Sequence, residues 1–348
     1  MFTSDIYAKR RAELRRRVGH GLILLPGNSE SPMNYPNNAY HFRQDSTFLY
    51  FFGHNVPMLT GVIDADSGAE TLYGDDFTVD DIIWMGPQAT VADLAARVGV
   101  ANAKPVAALA ADVRRAIAQG RAVHYLPPYR GETKLQLADM LGIAAGMLHD
   151  RKSLDLLFAV AEMRESKGAE EIAALEEAFD IGYRMHTTAM RLTRAGRGEH
   201  EIAGAVDGVA MSYGTGVSFS TILSQHGEVL HNHDHTGILE DGRLLLCDAG
   251  GEHLNNYVSD HTRTFPVSGR FTQKQKDIYN IVLAAHDKAE AALHADMMYS
   301  EYSDAAFRTI IEGLRDLGLV RGSVDDALAA GAGFLFMPHG LGHGTGLD

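Results

Sequence analysis

Two aspartates and a group of histidines in the second half of the chain are residue types that could hold metal ions. Asp248 follows the apolar run Arg243–Cys247, and Asp260 comes twelve residues later, just before Thr262–Pro266. The segment 226–261 contains six of the 17 histidines. A strand, a return and a second strand would bring Asp248 and Asp260 onto neighbouring strands. Two carboxylates held together repel each other unless a proton or a cation lies between them.

A second group of histidines lies in the run from Pro338 to Asp348. His339 and His343 are four residues apart, as in the HExxH zinc motif, but residue 340 is glycine, so that interpretation fails. Four glycines among eight residues instead predict a tight loop or strand that a ligand can approach closely. A glycine loop with two hydrogen-bonded histidines is common, so this motif gains its weight from the aspartates in the same chain.

Two aspartates with histidine form an oxygen-rich ligand set without thiolate, which suits Mn(II), Co(II), Fe(II) or Zn(II). A pair of such ions about 3.5–4 Å apart can activate a water molecule and polarise a carbonyl group. Other catalytic motifs are missing, because the sequence has neither a GxSxG nor a GxxxxGK[ST] motif. The one cysteine, Cys247, precedes Asp248 on an apolar strand and should point to the opposite face, into the core.

The segments that must position these residues lie in two parts of the chain with different secondary-structure patterns. Up to about residue 150, short apolar segments alternate with helical patterns, which is typical of an α/β domain. The predicted strands are Gly21–Pro26, Thr47–Gly53, Thr60–Asp64 and Ala122–Leu126. The predicted helices are one at the N-terminus, one around Val91–Val98 and one around Ala107–Ala118.

A long amphipathic helix that begins near Ala169 marks the second part of the chain. Its apolar positions recur every three or four residues and define one buried face: Ile172, Leu175, Phe179, Gly182, Met185 and Ala189. We place the boundary between about residues 155 and 168, which predicts an N-terminal domain of residues 1–160 and a C-terminal domain of residues 161–348. No stretch rich in Pro, Gly or Ser separates them, so we expect the domains to dock.

Composition and charge exclude several classes of partner. The 348 residues suit two domains, and 45% hydrophobic residues are ordinary for a globular protein. With 31 Lys and Arg against 45 Asp and Glu, the net charge is −14, so neither nucleic acid nor an anionic membrane is an expected partner. The basic groups Lys9–Arg11 and Arg15–Arg17 are therefore interpreted as the solvated face of the first helix.

The compartment is inferred from cysteine content and from the apolar segments. A single cysteine excludes an intramolecular disulfide. No apolar stretch reaches the roughly 20 residues that a transmembrane helix needs. The N-terminus has no apolar core of a signal peptide. We therefore expect a cytoplasmic protein.

Four motifs, in their order and separation, resemble the aminopeptidase P and prolidase family of pita-bread metallopeptidases. They are GEVLH at Gly227–His231, LCDAG at Leu246–Gly250, DHTRTFP at Asp260–Pro266 and HGLGH at His339–His343. Upstream, HFRQDSTFLYF at His41–Phe51 is similar to the N-terminal domain of aminopeptidase P. The resemblance implies an α/β N-terminal domain followed by an α+β pita-bread catalytic domain.

The resemblance also implies roles for individual residues. Asp248 and Asp260 are implied metal ligands, with Asp260 bridging two ions, and His343 is implied as a third ligand. His231 and His339 are implied to be histidines that bind no metal but hold the substrate and steady the tetrahedral intermediate.

One further residue, Trp84, corresponds to an N-domain tryptophan that reaches the active site of a neighbouring subunit in aminopeptidase P. A position in the protein core is the alternative for this residue. The same resemblance implies a homo-oligomer.

Two departures from the family pattern bear on the site. The loop between Asp248 and Asp260 is one residue longer than usual, which a β-bulge could absorb. The family also has two glutamates after the second histidine motif, one of them the expected general base, and the sequence given ends at Asp348, before either. We expect either a C-terminally shortened form of the enzyme or a second polypeptide that completes the site.

The function these features predict is hydrolysis of the Xaa-Pro bond at peptide N-termini through a dinuclear, metal-activated water. Its cofactors would be two divalent metal ions, with manganese preferred and cobalt, zinc or iron as alternatives. Its substrates would be proline-containing peptides. Two other functions remain open: a prolidase that cleaves Xaa-Pro dipeptides, and a pita-bread binding module without catalysis. The incomplete ligand set favours the binding module, whereas the intact Asp248, Asp260 and His343 oppose it.

Overall fold

The computed structural model describes residues 1–348, and its first part is built on a five-stranded mixed sheet. The strands are β1 (Leu22–Pro26), β2 (Thr60–Asp64), β3 (Glu70–Tyr73), β4 (Asn102–Lys104) and β5 (Val123–His124). The helices are α1 (Ser4–Val18), α2 (Ser46–Phe52), α3 (Val79–Met85), α4 (Val91–Arg97), α5 (Leu109–Ala118) and α6 (Gly131–Leu141). The strand order is β4-β3-β2-β1-β5, with β1 parallel to β5 and antiparallel to β2.

Both faces of this sheet are covered. Along β1, Ile23 and Leu25 belong to one hydrophobic cluster, whereas Leu22 and Leu24 belong to another on the opposite face. A strand buried on both faces has an uninterrupted apolar sequence, since alternate side chains enter two different cores. The predicted strand at Gly21–Pro26 is thereby confirmed.

The predicted strand at Thr47–Gly53 is wrong, because this segment forms helix α2. Asp45 caps the helix by accepting a hydrogen bond from the Phe48 backbone N–H at 2.9 Å, and Gly53 ends it with a φ of 68°. Every residue of α2 is buried, so the sequence has no polar face that would reveal a helical period. Its aromatic residues favour a strand by propensity, but the two caps favour a helix.

The interpretation of the N-terminal basic residues as a solvated face is wrong for two of them. Arg10 and Arg11 are buried, with exposed fractions of 7% and 0%. The Arg11 Nε atom lies 2.8 Å from a carboxylate oxygen of Glu70, and its remaining nitrogens donate to two backbone carbonyls. Arg16 and Arg17 are exposed, as predicted.

The second part of the chain packs helices onto a small antiparallel sheet. Its strands are β6 (Gly216–Val217), β7 (Ile222–Ser224), β8 (Leu244–Ala249), β9 (Gly251–Glu252) and β10 (His261–Pro266). The order β10-β8-β7 forms one sheet, and β6 pairs with β9 in another. The helices are α7 (Leu154–Glu165), α8 (Ala169–Leu192), α9 (Glu199–Tyr213), α10 (Gln273–Ala292), α11 (Tyr299–Asp316), α12 (Val324–Ala329) and α13 (Gly333–Phe336).

Helix α8 is the long amphipathic helix expected from residue 169. Leu175, Gly182, Met185 and Ala189 are buried as predicted, whereas Ile172 is 49% exposed. Two polar residues, Glu171 and His186, are buried along the same face.

The two parts of the chain dock, as expected from the absence of a loose linker. One hydrophobic cluster combines N-terminal residues with Leu175 of α8 and with Tyr257. At its edge, an Arg10 guanidinium nitrogen lies 3.3 Å from Glu171, whose carboxylate also accepts a hydrogen bond from the Tyr257 hydroxyl at 2.8 Å. Helix α1 is therefore tied to α8 and to the segment that leads into β10.

Candidate active site

Strand β8 presents Asp248 on the face opposite the core. Burial alternates along the strand, with Leu245, Cys247 and Ala249 inside and Asp248 half-buried. Cys247 is fully buried, as predicted, and burial raises the pKa of its thiol to about 12, so it is a poor nucleophile at neutral pH. The regular alternation of the strand thus separates a core face from a chemical face.

Asp260 lies next to Asp248 through the pairing of β8 with β10. These strands are antiparallel neighbours, with Thr262 opposite Asp248 and His261 opposite Ala249. Asp260 immediately precedes β10 and is two residues from Thr262, so it is a diagonal neighbour of Asp248. The predicted pairing of the two strands is confirmed, with Asp260 just before β10 and diagonal to Asp248, not directly opposite it.

The strands that flank the Asp248–Asp260 loop pair without interruption. The β8–β10 pairing is continuous from Ala249 and His261 to the far end, so the suggested bulge is not in this ladder. Asn256 adopts a φ of 65°, and its N–H donates to the His253 carbonyl at 2.8 Å. The turn at Asn256 thus connects two strands whose register is regular up to Asp260.

The carboxylate of Asp248 is in an unfavourable environment for an unpaired charge. One of its oxygens, Oδ1, is buried and has no hydrogen-bond partner. The pKa of Asp248 lies above its ordinary value, chiefly because the group is buried and also because Asp260 is negatively charged. The Thr262 hydroxyl and the nearby His231 and His343 oppose this rise. The arrangement favours a cation near Asp248.

His343 is the histidine in contact with Asp260. Its Nε2 atom lies 3.2 Å from Oδ2 of Asp260, while its Nδ1 atom is 3.0 Å from the Gly344 carbonyl. The segment around it is a loop with exposed glycines, as the spacing predicted, and the His343 side chain is 72% exposed. Beyond it, the Gly346 carbonyl accepts a hydrogen bond from the Val258 N–H at 2.9 Å.

His231 and His339 are both exposed, but only His231 acts electrostatically on Asp248. His231 is close enough for its charge to lower the pKa of Asp248. It lies on the loop between β7 and β8, which is anchored by Gln225, whose side chain bonds to the backbone of Ile238 and Glu240. The ring of His339 has one hydrogen bond, to the carbonyl of Gly340 at 2.8 Å, and contacts neither aspartate.

Trp84 lies away from the aspartates on helix α3, and the core alternative is wrong. It is 84% exposed, and no residue of α3 is buried. Its neighbours Ile83 and Met85 are 70% and 63% exposed, so α3 presents an apolar surface that this chain leaves uncovered.

A cleft of about 1540 Å³ runs between the two parts of the chain. It reaches Gly344, which follows His343, but neither Asp248 nor Asp260 lines it. Tyr40 and Arg43 line it from the N-terminal part. Phe219, which precedes β7, and Gly344, which follows His343, line it from the other side. A peptide in this cleft would contact both parts of the chain.

The sequence reasoning missed His186 behind the aspartates, and it placed Gly182 on the buried face of α8 without its contacts. His186 on α8 donates from Nε2 to the Ala249 carbonyl at 3.1 Å, and Gly182 lies one turn earlier against Ser259 and His261. The signal was available, because His186 interrupts an otherwise apolar face between Met185 and Ala189 at helical spacing.

Comparisons with known proteins follow the same division of the chain. The model of metallopeptidase family M24 matches residues 173–348, and the model of the aminopeptidase P N-terminal domain matches residues 7–124. The chain belongs to metallopeptidase family M24. Its pita-bread fold and its aminopeptidase P type, both implied by the four motifs, are thereby confirmed, and with them its class as a hydrolase.

Individual relatives support this assignment over nearly the whole chain. Xaa-Pro aminopeptidase of Escherichia coli K12 is 28% identical over 358 residues, which cover 98% of this chain and 80% of the relative. A probable Xaa-Pro aminopeptidase of Metarhizium robertsii is also 28% identical, with 100% and 75% covered.

Solved structures show the same similarity. Aminopeptidase PepP of Pseudomonas aeruginosa aligns with a TM-score of 0.88 at 26% identity, covering all of this chain and 80% of the other. Zinc-substituted E. coli aminopeptidase P in complex with product aligns with a TM-score of 0.86 at 28% identity, covering all of this chain and 81% of the other.

Membership in family M24 implies divalent metal ions, and the residues of this chain fit them. The buried, unpartnered Oδ1 of Asp248 needs a positive partner, and Asp260 and His343 add oxygen and imidazole donors beside it. The donor atoms of Asp248, Asp260 and His343 do not all lie within 4.8 Å of one another. The one group of three whose donor atoms all lie within 4.8 Å is elsewhere, at the exposed His286, Asp287 and Glu290.

None of the helices is both long enough and apolar enough to cross a bilayer.

Proposed function

We propose that this M24 metallopeptidase removes an N-terminal residue that precedes proline, as an Xaa-Pro aminopeptidase. The observation that carries the proposal is the meeting of Asp248, Asp260 and His343 at one edge of the sheet, in a chain that is similar along its length to Xaa-Pro aminopeptidases. The half-buried Asp248 with an unpartnered oxygen is difficult to explain as a structural residue.

In this proposal, Asp248, Asp260 and His343 would hold two divalent ions, with manganese preferred. When bound, such ions polarise the scissile carbonyl and supply an activated water at neutral pH. Asp248 and Asp260 contribute negative charge, and the antiparallel pairing of β8 with β10 holds their backbone positions. His343 contributes an imidazole nitrogen from the loop side of the site, where its side chain is largely exposed.

The other two histidines act on the peptide in this proposal. His231, on the loop before β8, donates a hydrogen bond to the carbonyl oxygen as negative charge develops there. His339 holds the substrate after its glycine-rich loop adjusts, because catalytic contacts are often long before substrate binds.

The preference for proline follows from the chemistry of its peptide bond. The nitrogen of an Xaa-Pro bond has no N–H, so a protease that grips this group loses a hydrogen bond. Attack on the carbonyl from the aspartate edge does not need that N–H. The N-terminal domain, proposed as residues 1–160, then narrows the cleft over residues 161–348 so that only free N-termini enter.

Replacing Asp260 provides the test. Asp260→Ala should remove bound metal and hydrolysis of an Xaa-Pro-Yaa tripeptide together, measured by metal analysis and by release of the first residue. Asp287→Ala, in the exposed group on α10, is the matched control and should change neither. Unchanged metal content in Asp260→Ala would contradict the site assignment.

A prolidase is the second candidate, since the same site could act on dipeptides. Comparison of an Xaa-Pro dipeptide with an Xaa-Pro-Yaa tripeptide separates the two, and a preference for the dipeptide would replace the leading proposal. Failure on both substrates by metal-loaded protein would favour a binding module without catalysis.

The proposal includes a homo-oligomer in the cytoplasm. The uncovered apolar surface of α3, with Trp84 at its centre, supports a partner subunit there. Trp84→Ala should shift the sedimentation coefficient towards that of the monomer. A wild-type protein that sediments as a monomer at all concentrations would contradict this part.

A further inference from the structure

The ends of β8 and β10 that carry the two aspartates rest on one turn of helix α8. This turn runs from Gly182 to His186 and is buried at both residues. His186 is 5% exposed, and it is neither a predicted ligand nor in contact with the cleft. A buried histidine among apolar neighbours needs an explanation, because its polar nitrogens lose their water.

His186 makes one hydrogen bond, and this bond fixes its tautomer. Its Nε2 atom lies 3.1 Å from the Ala249 carbonyl, which can only accept, so Nε2 carries the proton. Its Nδ1 atom is buried and has no partner. The ring is therefore held in one orientation by a single bond to the residue that directly follows Asp248.

The same ring also touches the residue that directly follows Asp260. The rings of His186 and His261 are 6.2 Å apart and nearly perpendicular, at 87°, as in an edge-to-face pair. His261 and Ala249 are opposite each other in the β8–β10 ladder. One side chain thus contacts both strands at the step beyond each aspartate.

Gly182 lets the helix come close enough for these contacts. A Cβ atom at this position would lie 2.8 Å from Oγ of Ser259 and 2.9 Å from Nδ1 of His261. Ser259 is fully buried and accepts a hydrogen bond from the Gly251 N–H at 3.0 Å, so it has little freedom to move away. Helix α8 is therefore seated directly on the segment that delivers Asp260.

We propose that His186 is a positioning residue that sets the separation of the Asp248 and Asp260 carboxylates by binding the residue after each. The inference rests on the proposed metal site, because only a shared ligand makes that separation matter. Partners behind metal ligands orient them, and their loss usually lowers metal affinity about 10–100-fold.

Two substitutions separate positioning from plain packing. His186→Leu keeps much of the volume but removes the donor to Ala249, and we expect Co(II) to bind about tenfold more weakly to it. His186→Gln carries an amide N–H that can reach the same carbonyl, so it should recover most of the affinity. The measurement is the Co(II) dissociation constant of the full chain, with the visible spectrum of bound Co(II) as a second readout of ligand geometry.

Leu175→Ala is the matched control, because Leu175 is buried on the same helix but belongs to the cluster with the N-terminal part. We expect it to lower the unfolding midpoint without changing the Co(II) dissociation constant or spectrum. Equal Co(II) affinity and an unchanged spectrum in His186→Leu would overturn the inference, as would failure of His186→Gln to recover affinity while it folds normally.

The outcome for the metal site itself is read separately. If wild type binds Co(II) and Asp260→Ala does not, the proposed site stands and the His186 variants decide the inference. If Asp260→Ala binds Co(II) as wild type does, the proposed site fails, and the inference fails with it.

Discussion

The carboxylates and the histidines of the site are held in different ways. Asp248 and Asp260 belong to paired strands whose backs are covered by α8, and both are at least partly buried. His231, His339 and His343 have exposed side chains on two loops, residues 225–240 and 338–346, which we call the histidine loops. The first region is held by strand pairing, whereas the histidine side chains of the second are exposed to solvent on irregular backbone.

This difference suggests a division of labour between the two regions. Two carboxylates on adjacent strands create a repulsion that a rigid sheet cannot relieve by moving, so it favours binding of cations. Histidines on loops are not subject to this repulsion and can contact peptides of different shape. Substitutions in the rigid region should therefore affect metal binding, and those in the histidine loops should affect the handling of substrate.

The largest effect is expected at Asp248. Asp248→Ala removes the most buried ligand, so we expect metal affinity and hydrolysis to fall by more than about 100-fold. This loss is larger than the one expected from removing a residue that only hydrogen-bonds to a ligand. Calorimetric titration with Mn(II) and a tripeptide assay measure the two quantities. Cys247→Ser, on the opposite face of the same strand, should retain metal binding. Retained metal affinity in Asp248→Ala would remove the distinction between the regions.

The second effect concerns the histidine loops. His231→Ala should lower kcat/KM by about 10²–10³, the usual effect of losing one donor to a developing oxyanion, without changing metal affinity. Steady-state kinetics at saturating metal, together with the Mn(II) titration, measure this split. A parallel loss of metal affinity would mean that His231 belongs with the ligands and that the loop is not merely a substrate element.

The third effect tests how tightly α8 is seated. Gly182→Ala places a methyl group within 3 Å of buried side-chain atoms, so we expect a loss of about 1–3 kcal/mol in the free energy of unfolding. Urea denaturation measures it. Gly204→Ala on α9 is the control, because no atom lies within 4 Å of its Cβ, and it should stabilise the protein by about 0.5–1 kcal/mol. Equal effects of both substitutions would show that α8 is not closely packed there.

The smallest effect is the pH dependence of stability. His124 is buried beside the Ser153 hydroxyl at 2.7 Å, and burial lowers its pKa. The unfolded chain then binds a proton more readily than the folded one, so this stability is present above about pH 6.5 and is lost as the pH falls. His124→Gln should make the loss below pH 6.5 shallower by at most about 1.4 kcal/mol per pH unit. Urea melts from pH 5 to 7 measure it, with the exposed His339→Gln expected to follow wild type.

The rigid region was largely predictable from sequence, because its signals are local and repeated. An apolar run that ends in Asp248 and a second run after Asp260 specify two strands, and the alternation places Cys247 on the other face. The pairing of these strands follows from the short connection between them. Four motifs in order then identified the family.

The parts that could not be predicted depend on distant partners. Helix α2 has no polar face, so only its caps at Asp45 and Gly53 distinguish it from a strand. Arg10 and Arg11 looked like surface residues because the groups that pair with them, Glu171 and Glu70, are far away in sequence. For His186, the decisive partner is a backbone carbonyl that no sequence pattern records.

The exposure of Trp84 also decides how this protein can be observed. It is the only tryptophan in the chain and is 84% exposed, so its indole is already in contact with water in the folded state. Its fluorescence should change little when a single chain unfolds, and the emission should move to shorter wavelength only when another surface covers α3. Intrinsic tryptophan emission is therefore a reporter of association in this molecule, and its folding has to be followed through circular dichroism or tyrosine signals.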